Sequence, residues 1–160
     1  MSTSLPAVPE PPKDRSLESL HPAMRDVVFH LLATLSAAGV PYTPDETLRT
    51  EARQAWLYAS GRTRPGPKIT QKDGAPGVWP RDHPVVKERG KTRRSRHQSG
   101  LAVDLYPLDP AGHLFIPPAK HPCWERLATV ARSLGLRAGR DWGDSPHIEY
   151  RGPLPPKRAA

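Results

Sequence analysis

The spacing of hydrophobic positions changes along this chain. Val27, Val28, Leu31, Leu32 and Leu35 recur at helical intervals after Leu20-His21-Pro22 and predict a helix over about 23–38. Proline suits its first turn, where a missing N–H would be unpaired anyway, and Gly39 supplies a stop. Past Pro41 and Pro44, residues 46–50 read as a short strand. Residues 51–59 read as a short helix capped by Thr50, with Glu51 in its first turn and Trp56 and Leu57 toward the core. The run 101–106 reads as a strand buried on both faces. Ala102 and Asp104 share one side of it, and Leu101, Val103 and Leu105 the other. The turn Asp109-Pro110-Ala111-Gly112 leads to a hairpin strand at 114–116. Pro122 opens a second long helix, about 123–134, with Trp124, Leu127, Val130, Ala131 and Leu134 on one face and Gly135 as its stop. Residues 146–150 form a last strand.

These elements predict an α+β domain, a small antiparallel sheet flanked by helices. A length of 160 residues suits one domain with one core. The expected division is a disordered lead over 1–17, a domain over 18–151 and a basic, proline-rich tail over 152–160. The 21 prolines gather at the termini and in a long loop over 61–94, and no repeat of solenoid period is present. A loop of that length within a compact domain is functional or mobile. Two readings stay open for it: a cover over a site that attracts an anionic substrate, or a solvated insertion.

Charge and cysteine content narrow the classes. The net charge of +8 favours a polyanionic partner, whether nucleic acid, an anionic membrane or an acidic wall polymer. Trp79 is the one aromatic in the basic loop, which is thin for stacking nucleic-acid bases. The single cysteine, Cys123, allows no intramolecular disulfide and no cysteine-rich zinc site, and reads as a small buried hydrophobe. Residues 1–15 lack the apolar core of a secretory signal, and no run reaches the roughly 18 apolar residues of a membrane helix. The expectation is a chain made in the cytoplasm, without membrane insertion, that another component releases if it acts outside.

The candidate chemistry lies in Ser95–Asp104 and in Asp141–Tyr150. Asp104 sits in an apolar strand, where an acid is costly unless paired or bound to a metal. A catalytic zinc takes three protein ligands and leaves one position open. His97, Asp104 and His147 fit that count, with His147 delivered from an antiparallel neighbour strand. Zinc lowers the pKa of its water and polarises a carbonyl, and a carboxylate then shuttles the proton. Asp144, three residues before His147, is the candidate base. Glu149 shares the face of His147 and is a candidate to orient an imidazole, with Trp142 in the turn beside it. Arg49, just before a helix start, reads either as a solvated arginine or as a side chain delivered into the cleft. His21, His30, His83, His113 and His121 read as surface or structural residues.

The pattern Ser95, His97, Gly100, Ala102, Asp104 resembles the signature of the zinc D,D-peptidase family (peptidase family M15), which includes the VanX and VanY types. The run from Asp144 through His147 to Ile148-Glu149-Tyr150 resembles the branch of phage endolysins that cut the L-alanyl-D-glutamate bond of peptidoglycan. Leu20-His21-Pro22, Leu48-Arg49-Thr50, Gln54, Leu57-Tyr58 and the stretch 61–66 also resemble that branch, so the likeness spans about 18–151. The resemblance implies the Hedgehog/DD-peptidase-like zinc peptidase fold and one catalytic Zn²⁺ on His97, Asp104 and His147. It implies Asp144 as base, Arg49 at the oxyanion or a substrate carboxylate, and Ser95 and Gln54 as substrate contacts. The segment between Thr70 and Ser95 is longer and more basic than in the small endolysins.

The expected function is a bacteriolytic, endolysin-type zinc metallopeptidase of phage lysis that hydrolyses the peptidoglycan stem peptide. It would act as a monomer without a stable protein partner or nucleic acid, and reach the wall through a holin-type hole. Two alternatives remain at this stage: a D-Ala-D-Ala carboxypeptidase or dipeptidase, and a non-enzymatic basic module that binds wall or nucleic acid.

Overall fold

The structure, a computed structural model, describes residues 9–59, 68–70, 76–78 and 95–154. In chain order they form α1 (Pro22–Ala37), β1 (Tyr42–Glu46), α2 (Glu51–Ala59), β2 (Lys68–Thr70), β3 (Pro76–Val78), β4 (Ala102–Pro107), α3 (Pro122–Ser133), β5 (Arg137–Ala138) and β6 (His147–Glu149). Short 3-10 helices lie at Leu17–Ser19, Arg96–Ser99 and Gly139–Trp142.

A histidine–proline pair starts each long helix. The imidazole Nδ1 of His21 accepts from the Ala23 N–H at 3.1 Å, and that of His121 from the Cys123 N–H at 3.1 Å. Each ring satisfies one of the donors that a helix start leaves unpaired. Met24, Val28, Leu31 and Leu35 give α1 one buried stripe, and Cys123, Trp124, Leu127, Ala128 and Ala131 give α3 another. Both stripes join Leu101, Val103, Leu105 and Ile148 in one core cluster. The four-stranded sheet has the order β1-β4-β6-β5 and is antiparallel throughout. Its α+β architecture is the one expected. Among the described residues no helix is long and apolar enough to cross a membrane.

Four expectations meet a different structure. The strand expected at 46–50 lies at Tyr42–Glu46 and pairs with β4 from Tyr42↔Pro107 to Glu46↔Asp104. Pro44 is tolerated because β1 is an edge strand, and the register shifts just after it. Beyond Glu46 the backbone donors leave the ladder: Thr47 N–H reaches the Asp14 carbonyl at 2.7 Å and Arg49 N–H the His97 carbonyl at 3.0 Å. The hairpin strand expected at 114–116 reduces to a bridge between Leu108 and Leu114 and one bond from Phe115 to Pro107. Leu114, Phe115 and Ile116 are exposed, so no buried face holds a ladder there.

The described part of the expected disordered lead is tied down. Lys13 bonds Asp45 at 2.6 Å, and the Arg53 guanidinium bonds Glu10 at 2.8 Å and the Pro11 carbonyl at 2.9 Å. Within the basic loop, β2 and β3 pair antiparallel. The rest of that loop, residues 1–8 and the tail beyond residue 154 lie outside the described residues.

Two local features carry the segments that converge on one face of the sheet. A Cβ at Gly139 would fall within 2.8 Å of the His147 Cβ and well inside contact of the Asp144 carbonyl oxygen. The turn from Asp144 to His147 therefore packs directly on a glycine backbone. At the β1 edge of the sheet, Glu46 is buried and joins β1 to α2. Its carboxylate takes Arg49 Nε and Nη2, each at 3.0 Å, and Arg53 Nε at 2.5 Å. Burial alone would raise the Glu46 pKa, but the hydrogen bonds and charges of Arg49 and Arg53 outweigh it and hold the carboxyl below its ordinary value.

Gly139→Ala should cost about 1–3 kcal/mol as overpacking, measured by denaturant unfolding. The linkage of Glu46 has a defined sign. Its stabilisation is present above the unfolded carboxyl pKa and is lost as pH falls through the lower folded value. Glu46→Gln should therefore melt below the parent at neutral pH, and the gap should narrow as the pH is taken down through about 4.

Candidate active site

Asp104 is the centre of the site. β4 pairs with β6 so that Asp104 lies opposite His147. His97 comes from the 3-10 helix Arg96–Ser99, whose start is fixed by a reciprocal cap. The Ser95 hydroxyl accepts from His97 N–H, and the Gln98 side-chain oxygen accepts from Ser95 N–H at 2.9 Å. The helix ends at Gly100 in a left-handed conformation, φ +67°, pressed against the backbone of Leu20 and His21. The arrangement delivers His97, buried, above β4.

One Asp104 carboxylate oxygen stands 3.4 Å from His97 Nε2 and 3.5 Å from His147 Nδ1. Donor atoms of all three residues lie within 4.8 Å of one another. Ligands about 2.0–2.1 Å from a tetrahedral zinc stand roughly 3.3 Å apart. The two edges at Asp104 match that spacing, so these residues fit a divalent metal of zinc's size and ligand preference.

The outer ring nitrogens are held too. His97 Nδ1 lies 2.9 Å from the Thr47 carbonyl, which only accepts, so Nδ1 carries a hydrogen and Nε2 is the nitrogen that faces Asp104. His147 Nε2 lies 3.3 Å from Glu149, leaving Nδ1 toward Asp104. The other Glu149 oxygen takes Arg151 Nε at 2.7 Å. Metal-binding imidazoles are commonly oriented in this way.

The electrostatics agree with that picture. Burial would raise the Asp104 pKa, but His97 and His147 hold it well below the ordinary carboxylate value. Burial would lower His147, yet hydrogen bonds to Asp104 and Glu149 raise it to about 10. Glu149 resists its burial through His147 and Arg151 and falls to about 2. Asp144 differs from these acids. It is about half exposed, 3.8 Å from His147 Nδ1, and burial of its carboxyl and then the charge of Asp104 push its pKa upward. That is the environment of a group that exchanges protons.

The remaining candidates divide. Arg49 is buried beside the site, its N–H on the His97 carbonyl and its charge acting on Asp144. The solvated reading of Arg49 is therefore set aside. Gln54, expected at substrate, is 1% exposed, and its side-chain oxygen accepts from Arg49 Nη1 at 2.9 Å. It lies behind Arg49 because its helix position faces the interior. The Ser95 hydroxyl is engaged in the cap that seats His97. Trp142 is exposed, with its ring edge-on to His147 at 5.9 Å and Arg137 over its face at 5.0 Å. Sequence reasoning missed Glu46, Thr47 and Arg53. An acid followed by arginines three and seven residues later was a visible signal for Glu46, whereas Thr47 acts through its carbonyl and leaves no trace in residue type.

The comparisons agree with this geometry. A family model described as D-alanyl-D-alanine carboxypeptidase, of peptidase family M15, matches residues 89–150. That span holds His97, Asp104, Asp144 and His147. The crystal structure of the Serratia marcescens L-Ala D-Glu endopeptidase ChiX superposes with a TM-score of 0.54 at 26% identity, covering 84% of this chain and 83% of that one. The opposed histidines around Asp104, on this small antiparallel sheet, thus lie in a chain whose residues 89–150 resemble peptidase family M15 and whose fold resembles that of an L-Ala D-Glu endopeptidase.

Proposed function

We propose that this protein is a zinc-dependent peptidoglycan endopeptidase that hydrolyses the stem peptide, at the L-alanyl-D-glutamate bond. The observation that carries the reading is the convergence of His97, Asp104 and His147, with Asp144 alongside. The likeness to an L-Ala D-Glu endopeptidase supports the choice of bond. The net charge of +8 suits an anionic wall. The protein would act as a monomeric, bacteriolytic lysin of the phage type, reaching the wall through a holin-type hole.

His97 Nε2, an Asp104 oxygen and His147 Nδ1 would hold the metal. Zinc bound there supplies a Lewis acid that acidifies water and polarises a carbonyl. The chain's own groups do the rest. Thr47 and Glu149 keep the two imidazoles in their metal-binding tautomers. Asp144 takes the proton of the attacking water and returns it to the leaving amine, a role its half-exposed position 3.8 Å from His147 favours. Arg49 donates hydrogen bonds to the oxyanion as it develops. The Ser95 hydroxyl keeps its own O–H to offer to substrate, and Trp142 flanks His147 at the rim.

A second reading, a D-Ala-D-Ala carboxypeptidase, draws on the description of the matching family model. Mass spectrometry of peptidoglycan fragments separates the two. The endopeptidase reading expects chelator-sensitive products split between L-Ala and D-Glu. Loss of a terminal D-Ala instead would favour the second.

Asp144→Ala should retain one zinc by metal analysis while cleavage falls roughly a hundred- to ten-thousand-fold. Undiminished cleavage would remove Asp144 from the base role. His147→Ala should lose tight zinc and activity together, and a variant that still holds one tight zinc would take His147 out of the ligand set.

A further inference from the structure

Arg49 is held by more contacts than an arginine needs for solubility or packing. Its Nε and Nη2 both donate to Glu46 at 3.0 Å, the side-on pairing of a guanidinium with a carboxylate, and Nη1 donates to Gln54 at 2.9 Å. These bonds use three of five N–H groups. Among the described residues, one N–H on each terminal nitrogen is left for a further acceptor. Glu46 is in turn gripped by Arg53, which reaches back to Glu10 and the Pro11 carbonyl. Both Glu46 and Arg53 are 3% exposed, so their pairing is closed off from solvent, and the network meets solvent at Glu10.

A buried ion pair of this kind is weak evidence for stability, since desolvation offsets much of its attraction. Its geometry has another consequence. Glu46 stands opposite Asp104 across β1 and β4, and the Arg49 N–H bonds the carbonyl of His97. The network is thus fastened at two points to the backbone that carries the metal-ligand candidates.

We propose that Glu46 and Arg53 are positioning residues for the reaction: Glu46 fixes the plane of the Arg49 guanidinium so that its remaining N–H groups face the reacting carbonyl, and Arg53 fixes Glu46. Glu46 acts wholly through Arg49 and touches neither substrate nor metal. The inference rests on the proposed role of Arg49 at the oxyanion.

A double-mutant cycle on the full-length protein tests it, with Arg49→Ala, Glu46→Gln and the double variant assayed for kcat and KM on purified peptidoglycan fragments and for zinc content. Glu46→Gln should lower kcat about tenfold or more, change KM less, and keep one zinc per chain. In the Arg49→Ala background the same change should cost less than about twofold, because the group through which it acts is gone. A loss from Glu46→Gln that is equal in both backgrounds, or absent in the parent, would overturn the inference while leaving Arg49 in place. Full activity of Arg49→Ala would overturn both the role of Arg49 and the inference. Should Glu46→Gln fail to fold at the assay temperature, Glu46→Asp keeps the charge beside Arg53, shortens its reach and enters the same cycle with the same outcomes.

Discussion

A carboxylate held between two imidazoles is the constraint on which this structure turns. Asp104 occupies a strand that the core buries from one side, and an unpaired charge there would be costly. Its partners fix the arrangement around it. Asp104 meets His147 only in the observed antiparallel register of β4 and β6, and a slip of one residue would turn every side chain of the strand to the opposite face. His97 meets it only because the Ser95 cap and the left-handed Gly100 bring the preceding 3-10 helix back over the strand. The helices α1 and α3, packed on Leu101, Val103, Leu105 and Ile148, keep the sheet in place beneath this cluster.

Around that centre lies a shell of acceptors chosen for direction. The Thr47 carbonyl and the Glu149 carboxylate engage the outer ring nitrogens, so the inner nitrogens, His97 Nε2 and His147 Nδ1, face Asp104. Thr47 is itself fixed by the Asp14 carbonyl, which receives its N–H and its hydroxyl. The residues just ahead of α1 are therefore part of the site's support. The same segment reaches Arg53 through Glu10, so one stretch of chain steadies both the imidazole side and the arginine side of the cleft.

Much of this was legible in the sequence, for different reasons at different residues. The two long helices followed from apolar stripes between a histidine–proline start and a glycine stop. The ligand candidates followed from an acid in an apolar strand and from a short motif whose residue types the chemistry requires. Thr47 was not legible because a carbonyl has no side-chain signature, and the two-residue β5 is too short to show a period. The strand at β1 was misplaced because Pro41 and Pro44 look like breakers, and only its edge position makes Pro44 acceptable. Gln54 lies in a stretch that resembles a family motif and on a buried helix face at once. The second decides where its side chain goes.

The central claim is that His97, Asp104 and His147 together hold one zinc ion. Anomalous diffraction at the zinc absorption edge, from crystals of the purified protein, tests it most directly. A single strong peak is expected within about 2.0–2.2 Å of His97 Nε2, His147 Nδ1 and an Asp104 oxygen, with no fourth protein ligand. A peak ligated by other residues, or none from zinc-supplemented protein, would contradict it.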